Sequence, residues 1–280
     1  MFPWYGILGV FIIIFSEFTM FLRIQPFVYW FTPTVWIGYI LLVDATIYLI
    51  KGNSLLMNKR LKFLQMFLAS LDFWFMFEIY NKLVPSSGWH YLNLPQSRLV
   101  TLTMGSIAFA TIIPAVFETY DLVRLFHIFD KIKMRIKIPT NRLFINTLIV
   151  VGIIFILVPF IVTTPWLWAF VWTGFILLID PILYLFHDEK SLIMLVKKRN
   201  FKIILSLMLA GYICGFFWEF WNYWAYTKWY YTVPILQNIK VFEIPVVGFL
   251  AYGPFALELY VMYNFVRLLL SKRIWGIGNF

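Results

Sequence analysis

Long apolar runs alternate with short polar segments along the whole chain. Runs of about 20 residues cross the hydrocarbon core of a bilayer as α-helices, because a helix pairs all of its backbone polar groups internally. The pattern predicts eight spans, approximately at residues 4–22, 27–50, 63–81, 99–126, 143–162, 166–186, 201–223 and 241–270. The expected fold class is therefore an all-α polytopic membrane helix bundle.

The second half of the chain repeats the pattern of the first half. Residues 36–49 read WIGYILLVDATIYL and residues 172–185 read WTGFILLIDPILYL, with eight of fourteen positions identical. The spacings that recur downstream in the same order are Glu78-x-x-Asn81 and Glu219-x-x-Asn222, Trp89-x-Tyr91 and Trp229-x-Tyr231, and Pro114-x-x-x-Glu118 and Pro254-x-x-x-Glu258. Because four spans per copy is an even number, we predict two tandem parallel four-helix repeats, residues 1–135 and 136–280.

Composition and charge place the chain in a membrane. Hydrophobic residues make up 62% of the sequence and charged residues 13%, about half the charged share of soluble domains. The net charge of +10 comes mainly from loops after spans two, four and six and from the C-terminal segment. Cytoplasmic loops carry such an excess, so we expect a multi-pass cell-membrane protein with both termini cytoplasmic. The basic rim indicates contact with anionic lipid headgroups and not with nucleic acid.

Several classes of chemistry lack their sequence signatures. The chain contains no dinucleotide-binding glycine motif, no phosphate-binding loop and no His-Glu-x-x-His zinc motif. Its one cysteine, Cys214, excludes a disulfide within the chain, and the three histidines lack metal-ligand spacing. We therefore expect neither a metal nor a cofactor, which leaves redox-neutral acid–base chemistry open.

Acidic residues inside the spans are the main candidates for function. Ionisable groups in a membrane are costly and usually face the interior of the bundle. Those that recur in both halves are Asp44, Glu78, Glu118, Asp180, Glu219 and Glu258. A carboxyl group beside aromatic rings can protonate a carbon–carbon double bond, and the ring faces stabilise the resulting positive charge. The alternative interpretation is structural, because polar side chains also hold membrane helices together.

Neighbouring residues could orient these acids. Asn81 and Asn222 each share a helix face with the glutamate three residues before them. Pro114 and Pro254 should bend their helices one turn before a glutamate, which opens space beside the carboxyl group. The tryptophans and tyrosines predicted to line the outer rim of a pocket are Trp89, Tyr91, Trp229 and Tyr231.

The run from Asn81 to Tyr91, followed by a span that contains Pro114 and Glu118, resembles the membrane lycopene cyclases of the heterodimeric or fused type. Their domains also carry an acid and an asparagine, a spacer, a turn like Trp-x-Tyr and a proline before glutamates. In that family the acid adjoins the asparagine, whereas here Glu78 stands three residues before it. The resemblance implies an apolar isoprenoid or polyene ligand, no soluble cofactor, and glutamates as acid–base groups. The glutamates that would act in this way are Glu78, Glu118, Glu219 and Glu258.

Three functions remain open at this point. The first is an integral membrane enzyme that cyclises or isomerises an isoprenoid by glutamate acid–base catalysis. The second is a proton-coupled transporter or lipid flippase, since repeats and intramembrane acids also occur in transporters. The third is a membrane scaffold that binds lipid or a partner. The sequence leaves the oligomeric state open.

Overall fold

The computed structural model describes residues 1–84, 88–234 and 236–270, and most of these residues are helical. Its helices are α1 (Trp4–Phe21), α2 (Phe31–Lys51), α3 (Leu55–Asn58), α4 (Arg60–Leu83), α5 (Arg98–Ala110), α6 (Ile112–Leu125), α7 (Arg142–Leu157), α8 (Trp168–Leu185), α9 (Leu192–Lys197), α10 (Phe201–Trp224), α11 (Val246–Leu250) and α12 (Tyr252–Leu269). Its short strands are β1 (Trp89–Leu92), β2 (Lys228–Tyr231), β3 (Lys240–Val241) and β4 (Ile244–Pro245). Lys272 and Arg273, which contribute to the positive charge of the C-terminal segment, lie outside the described residues.

Seven helical segments of the described residues are long and apolar enough to cross a bilayer. The predicted all-α polytopic membrane class is therefore confirmed, with one span fewer than predicted. The difference lies at residues 241–270, which the structure divides into β3, β4, α11 and α12. The 18-residue α12 is about 27 Å long, but Glu258, Asn264 and Arg267 keep its mean hydropathy below that of the seven spans.

Two pairs of neighbouring helices pack closely at the edges of the bundle. α1 packs against α2, and α7 packs against α8. A Cβ atom at Gly9 would lie 2.7 Å from the carbonyl oxygen of Gly38, and one at Gly152 would lie 2.9 Å from that of Gly174. Small residues at these crossings let the backbones approach, as in many membrane helix pairs. The outward faces of α1 and α7 are apolar and exposed, so these helices contact lipid.

Two breaks in the helices follow from proline. The break between α5 and α6 lies three residues before Pro114, and the break between α11 and α12 lies three residues before Pro254. Proline has no backbone N–H to donate to the carbonyl four residues earlier. At the first break, the Ser70 hydroxyl donates to the carbonyl of Phe109 at 2.6 Å and accepts from the amide of Ile113 at 3.0 Å. α4 thereby fixes the bend of its neighbour.

Candidate functional site

A two-stranded ribbon joins the two halves of the chain. Strands β1 and β2 are antiparallel, with Trp89 opposite Tyr231, His90 opposite Tyr230, Tyr91 opposite Trp229 and Leu92 opposite Lys228. Since alternate residues of a strand point to opposite faces, both Trp-x-Tyr segments present their Trp and Tyr side chains on the same face. We call the end of the bundle that holds this ribbon, where α4 and α10 end, the ribbon side.

The inner face of the ribbon covers an apolar cavity of about 660 Å³ between the helices. Fourteen aromatic side chains line it, so ring faces and edges make up a large part of its wall. Besides the ribbon residues, these include Trp36 of α2, Trp74 of α4, Trp168 and Trp172 of α8, Trp218 of α10 and Phe255 of α12. Leu102 and Val247 also line the cavity and are 49% and 41% exposed, so the cavity is not closed off from its surroundings.

Glu78 is the acid in the cavity wall. Its Oε1 atom accepts hydrogen bonds from the indole N–H groups of Trp74 and Trp89, each at 3.1 Å, and from the Tyr91 hydroxyl at 2.5 Å. Three donors on one oxygen hold the carboxyl group in a single orientation. All three donors come from aromatic side chains that also form the wall.

The ribbon tyrosines keep their protons next to these acids. Burial, followed by the negative charge of Glu78, raises the pKa of Tyr91 well above its usual range. Burial and the charge of Glu219 raise the pKa of Tyr231 in the same way. Both hydroxyl groups therefore remain hydrogen-bond donors at any physiological pH.

Glu219, which corresponds to Glu78 in the second half, is completely buried. Its Oε1 atom accepts hydrogen bonds from the hydroxyl groups of Tyr231 at 2.8 Å and Tyr252 at 2.5 Å. The indole of Trp229 donates to the Tyr231 hydroxyl at 2.9 Å. The Oε2 atom of Glu219 is buried and has no hydrogen-bond partner among the described residues. Tyr231 and Tyr252 line the cavity, so this acid sits directly behind the wall.

The two predicted asparagines hold the ends of α4 and α10 to the ribbon. Asn81 donates to the carbonyl of Trp89 at 2.8 Å and accepts from the amide of Gly88 at 2.7 Å. Asn222 donates to the carbonyl of Trp229 at 2.8 Å and accepts from the amide of the same residue at 2.9 Å. These bonds fix the start of each strand and, through it, the Trp and Tyr side chains that meet the glutamates.

Asp44 and Asp180 bind the N-terminal ends of short helices at the end of the bundle opposite the ribbon. Asp44 accepts from the amide of Leu56 at 2.9 Å and from the hydroxyl groups of Ser54 and Tyr5, both at 2.8 Å. Asp180 accepts from the amides of Leu192 at 2.5 Å and Ile193 at 3.0 Å. A carboxylate is stabilising there because the first N–H groups of a helix lack partners within it.

Glu118 and Glu258 lie inside the bundle and outside the cavity wall. Both are completely buried, and none of their carboxyl oxygens accepts a hydrogen bond from a donor among the described residues. Glu118 lies close to the carboxyl group of Asp44. The bends predicted from Pro114 and Pro254 are present, but they do not bring these glutamates into the cavity wall.

The structure therefore brings together a subset of the predicted site residues. Those that line the cavity are Glu78, Trp89, Tyr91, Trp229 and Tyr231, while Glu219, Asn81 and Asn222 support it from behind. The catalytic and orienting roles assigned to all of these residues stay predictions. Sequence reasoning missed the donors Trp74 and Tyr252, although Trp74 precedes Glu78 by four residues and so shares its helix face.

No protein-family model, curated protein or solved structure matches this chain. The fold and the site therefore define its class by themselves: it is a multi-pass membrane protein of α-helices. Among the described residues, no three His, Cys, Asp or Glu side chains come together as a group that could hold a metal ion.

Proposed function

We propose that this protein is an integral membrane enzyme that converts an apolar isoprenoid or polyene by acid–base catalysis. The observation that carries the proposal is the position of Glu78, an oriented carboxyl group in the wall of an aromatic cavity between the helices. Ligand sites are typically concave and mostly apolar, with a few placed polar groups, and have volumes of about 300–1,000 Å³. The cavity of this protein has all of these properties.

The proposed reaction is redox-neutral. The protonated carboxyl group transfers its proton to one carbon of a double bond, and the π electrons of that bond form the new C–H bond. The neighbouring carbon becomes a cation, which the faces of the surrounding rings stabilise. A second double bond can attack this cation to close a ring, which moves the positive charge to a carbon of that second bond. In both the ring-closing and the isomerising reaction, a neighbouring C–H bond then supplies the electrons of a new double bond at the cationic carbon, and its proton leaves. The carboxylate takes up the released proton and is ready for another cycle.

Substitution of Glu78 tests the proposal. Glu78→Gln retains the shape and the hydrogen-bond acceptor but cannot transfer the proton, so conversion of an added polyene in detergent should fall about 100-fold or more. Glu189→Gln is the matched control, because Glu189 is 66% exposed and lies outside the cavity wall. Full turnover by Glu78→Gln, with an unchanged unfolding temperature, would reject the proposal.

A second candidate function is proton-coupled transport or lipid flipping, which the buried acids Glu118 and Glu258 favour. Acids inside a membrane bundle and without donors commonly take part in proton relays. Uptake of a labelled lipid into proteoliposomes, driven by a pH gradient and abolished by Glu118→Gln and Glu258→Gln, would support transport. Chemical conversion of the same lipid without a gradient would support the enzyme.

A further inference from the structure

Two lysines, Lys82 and Lys228, lie in the cavity wall on the ribbon side. Together with Glu78, they are the charged side chains of the described residues that line the cavity. A pure hydrocarbon offers no partner to a cation, whereas an anionic head group forms charge-assisted hydrogen bonds with an ammonium group. These lysines therefore indicate a ligand with a negative charge as well as an apolar chain.

The two lysines differ in their own partners. The Lys228 ammonium group forms an ion pair with Glu243 and lies 5.5 Å from the centre of the Tyr223 ring. Lys82 forms no ion pair with an acid among the described residues. Glu78 precedes it by four residues on α4, but the Glu78 carboxyl group is held by its indole and phenol donors. The positive charge of Lys82 is thus available to pair with an anionic group of a ligand.

We propose that the ligand is an isoprenoid chain that ends in a phosphate group, with the phosphate bound at Lys82 and the chain in the cavity beside Glu78. This inference rests on the proposed function and narrows its substrate class. Four residues of helix rise separate Lys82 from Glu78 by about 6 Å along α4. The double bond that reacts therefore lies close to the head group. Lys82 is exposed at the ribbon side, where a charged head group keeps contact with water.

Binding of matched probes tests the head group directly. Seven tryptophans line the cavity, so their fluorescence reports on its occupancy in the purified full chain. Geranylgeranyl phosphate and geranylgeraniol have the same chain and differ only at the head. We expect the phosphate to bind about tenfold more tightly, which is the effect of one charge-assisted contact. Equal affinities for the two probes would overturn the proposal.

Three variants connect the preference with Lys82. Lys82→Gln should remove the preference for the phosphate, and Lys82→Arg should retain it because the positive charge remains. Lys240→Gln is the matched control, since Lys240 is exposed and lies outside the cavity wall. A preference that survives Lys82→Gln would overturn the assignment of the head group to this residue.

Competition distinguishes the possible sources of the phosphate. Inorganic phosphate should not displace the prenyl phosphate at equal concentration, and displacement would overturn the need for an apolar chain. Phosphatidic acid that binds more tightly than the prenyl phosphate would overturn the isoprenoid assignment. Glu78→Gln should keep the head-group preference while it loses turnover. If the unmodified protein prefers the phosphate probe but converts no substrate, the proposed enzyme activity is rejected and the phosphate site is retained.

Discussion

Glu78 and Glu219 occupy corresponding positions of the sequence repeat, yet their surroundings differ. Glu78 lines the cavity and receives three hydrogen bonds on one oxygen. Glu219 is completely buried behind the wall, receives two hydrogen bonds on one oxygen, and has a second oxygen without a partner among the described residues. The same short motif thus provides a cavity-facing acid in one half and an enclosed acid in the other.

The difference arises from the placement of one large side chain. Trp74 stands four residues before Glu78, whereas Gly215 stands four residues before Glu219. A Cβ atom at Gly215 would lie 2.3 Å from the ring of Tyr252, so the glycine leaves the space that this ring occupies. Tyr252 then supplies the donor that the tryptophan supplies in the first half. The carboxyl group keeps a donor, but its source moves from the same helix to another one.

The largest effect on stability is expected at the enclosed acid. Glu219→Leu would leave the hydroxyl groups of Tyr231 and Tyr252 without their carboxyl acceptor, which should lower the free energy of unfolding by about 3 kcal/mol. Thermal unfolding in detergent measures this loss. Glu78→Leu should lose less, about 1 kcal/mol, because its donors border a cavity that solvent or detergent can enter.

A double variant shows whether the loss of stability comes from hydrogen-bond donors that are left without an acceptor. Replacing both partners of a buried hydrogen bond by apolar groups is often close to neutral, so adding Tyr252→Phe to Glu219→Leu should recover part of the lost stability. Equal unfolding temperatures for Glu219→Leu and the unmodified protein would contradict the view that this acid has a structural role.

Gly215 should tolerate a larger side chain poorly. Gly215→Ala places a methyl group against the Tyr252 ring, and we expect a loss of about 2 kcal/mol from overpacking. The matched control is Gly105→Ala in α5, where the nearest side-chain atom lies 3.6 Å from the added Cβ atom. That substitution should stabilise the protein by about 0.5–1 kcal/mol, because alanine is the better helix former. A neutral result at Gly215 would show that Tyr252 can occupy another position.

Removing a single donor should have a smaller effect in both halves. Tyr252→Phe leaves Glu219 with Tyr231, and Trp74→Phe leaves Glu78 with Trp89 and Tyr91. Tyr252→Phe should cost about 1 kcal/mol of stability, the usual contribution of one hydrogen bond, and Trp74→Phe about 0.5 kcal/mol, because the donors to Glu78 border the cavity. Trp74→Phe should in addition weaken binding of the polyene, measured by fluorescence titration. The same titration of Tyr252→Phe tests the cavity wall on the opposite side. Equal losses of affinity would mean that the two halves contribute equally to the cavity.

The sequence predicts the spans well, because the length of an apolar run is a local property that reflects the thickness of the bilayer. It also singles out Glu78, the two asparagines and the ribbon aromatics, since these recur at fixed spacings, but the same spacings single out Glu118 and Glu258, which lie outside the cavity wall. The pairing of β1 with β2 could not be predicted, because two four-residue strands some 135 residues apart meet only through packing of the helices. The division into residues 1–135 and 136–280 and the cytoplasmic termini stay predictions.

Hydrogen-bond partners that come from the backbone or from distant helices could not be predicted from the sequence either. Asp44 shares its helix face with other polar residues, but its structural partners include the amide of Leu56 and the hydroxyl of Tyr5. The contact with Leu56 follows from no motif, because backbone amides carry no sequence signal. The contact with Tyr5 follows from none because Tyr5 belongs to another helix, α1. The same applies to Tyr252, which reaches Glu219 from the start of α12.

The smallest effect is expected on the outer face of the ribbon. His90 lies opposite Tyr230 at the centre of the β1–β2 pair, with their rings 5.5 Å apart and directed away from the cavity. His90→Tyr makes the two halves identical at this point, and a cross-strand aromatic pair contributes at most about 1 kcal/mol. Stability should change by no more than about 0.5 kcal/mol, as for most exposed sites, and binding of the polyene should be unchanged. Trp89→Tyr on the inner face is the contrasting variant, since it removes an indole donor to Glu78 and part of the wall. A large loss of binding by His90→Tyr would mean that the ligand contacts both faces of the ribbon.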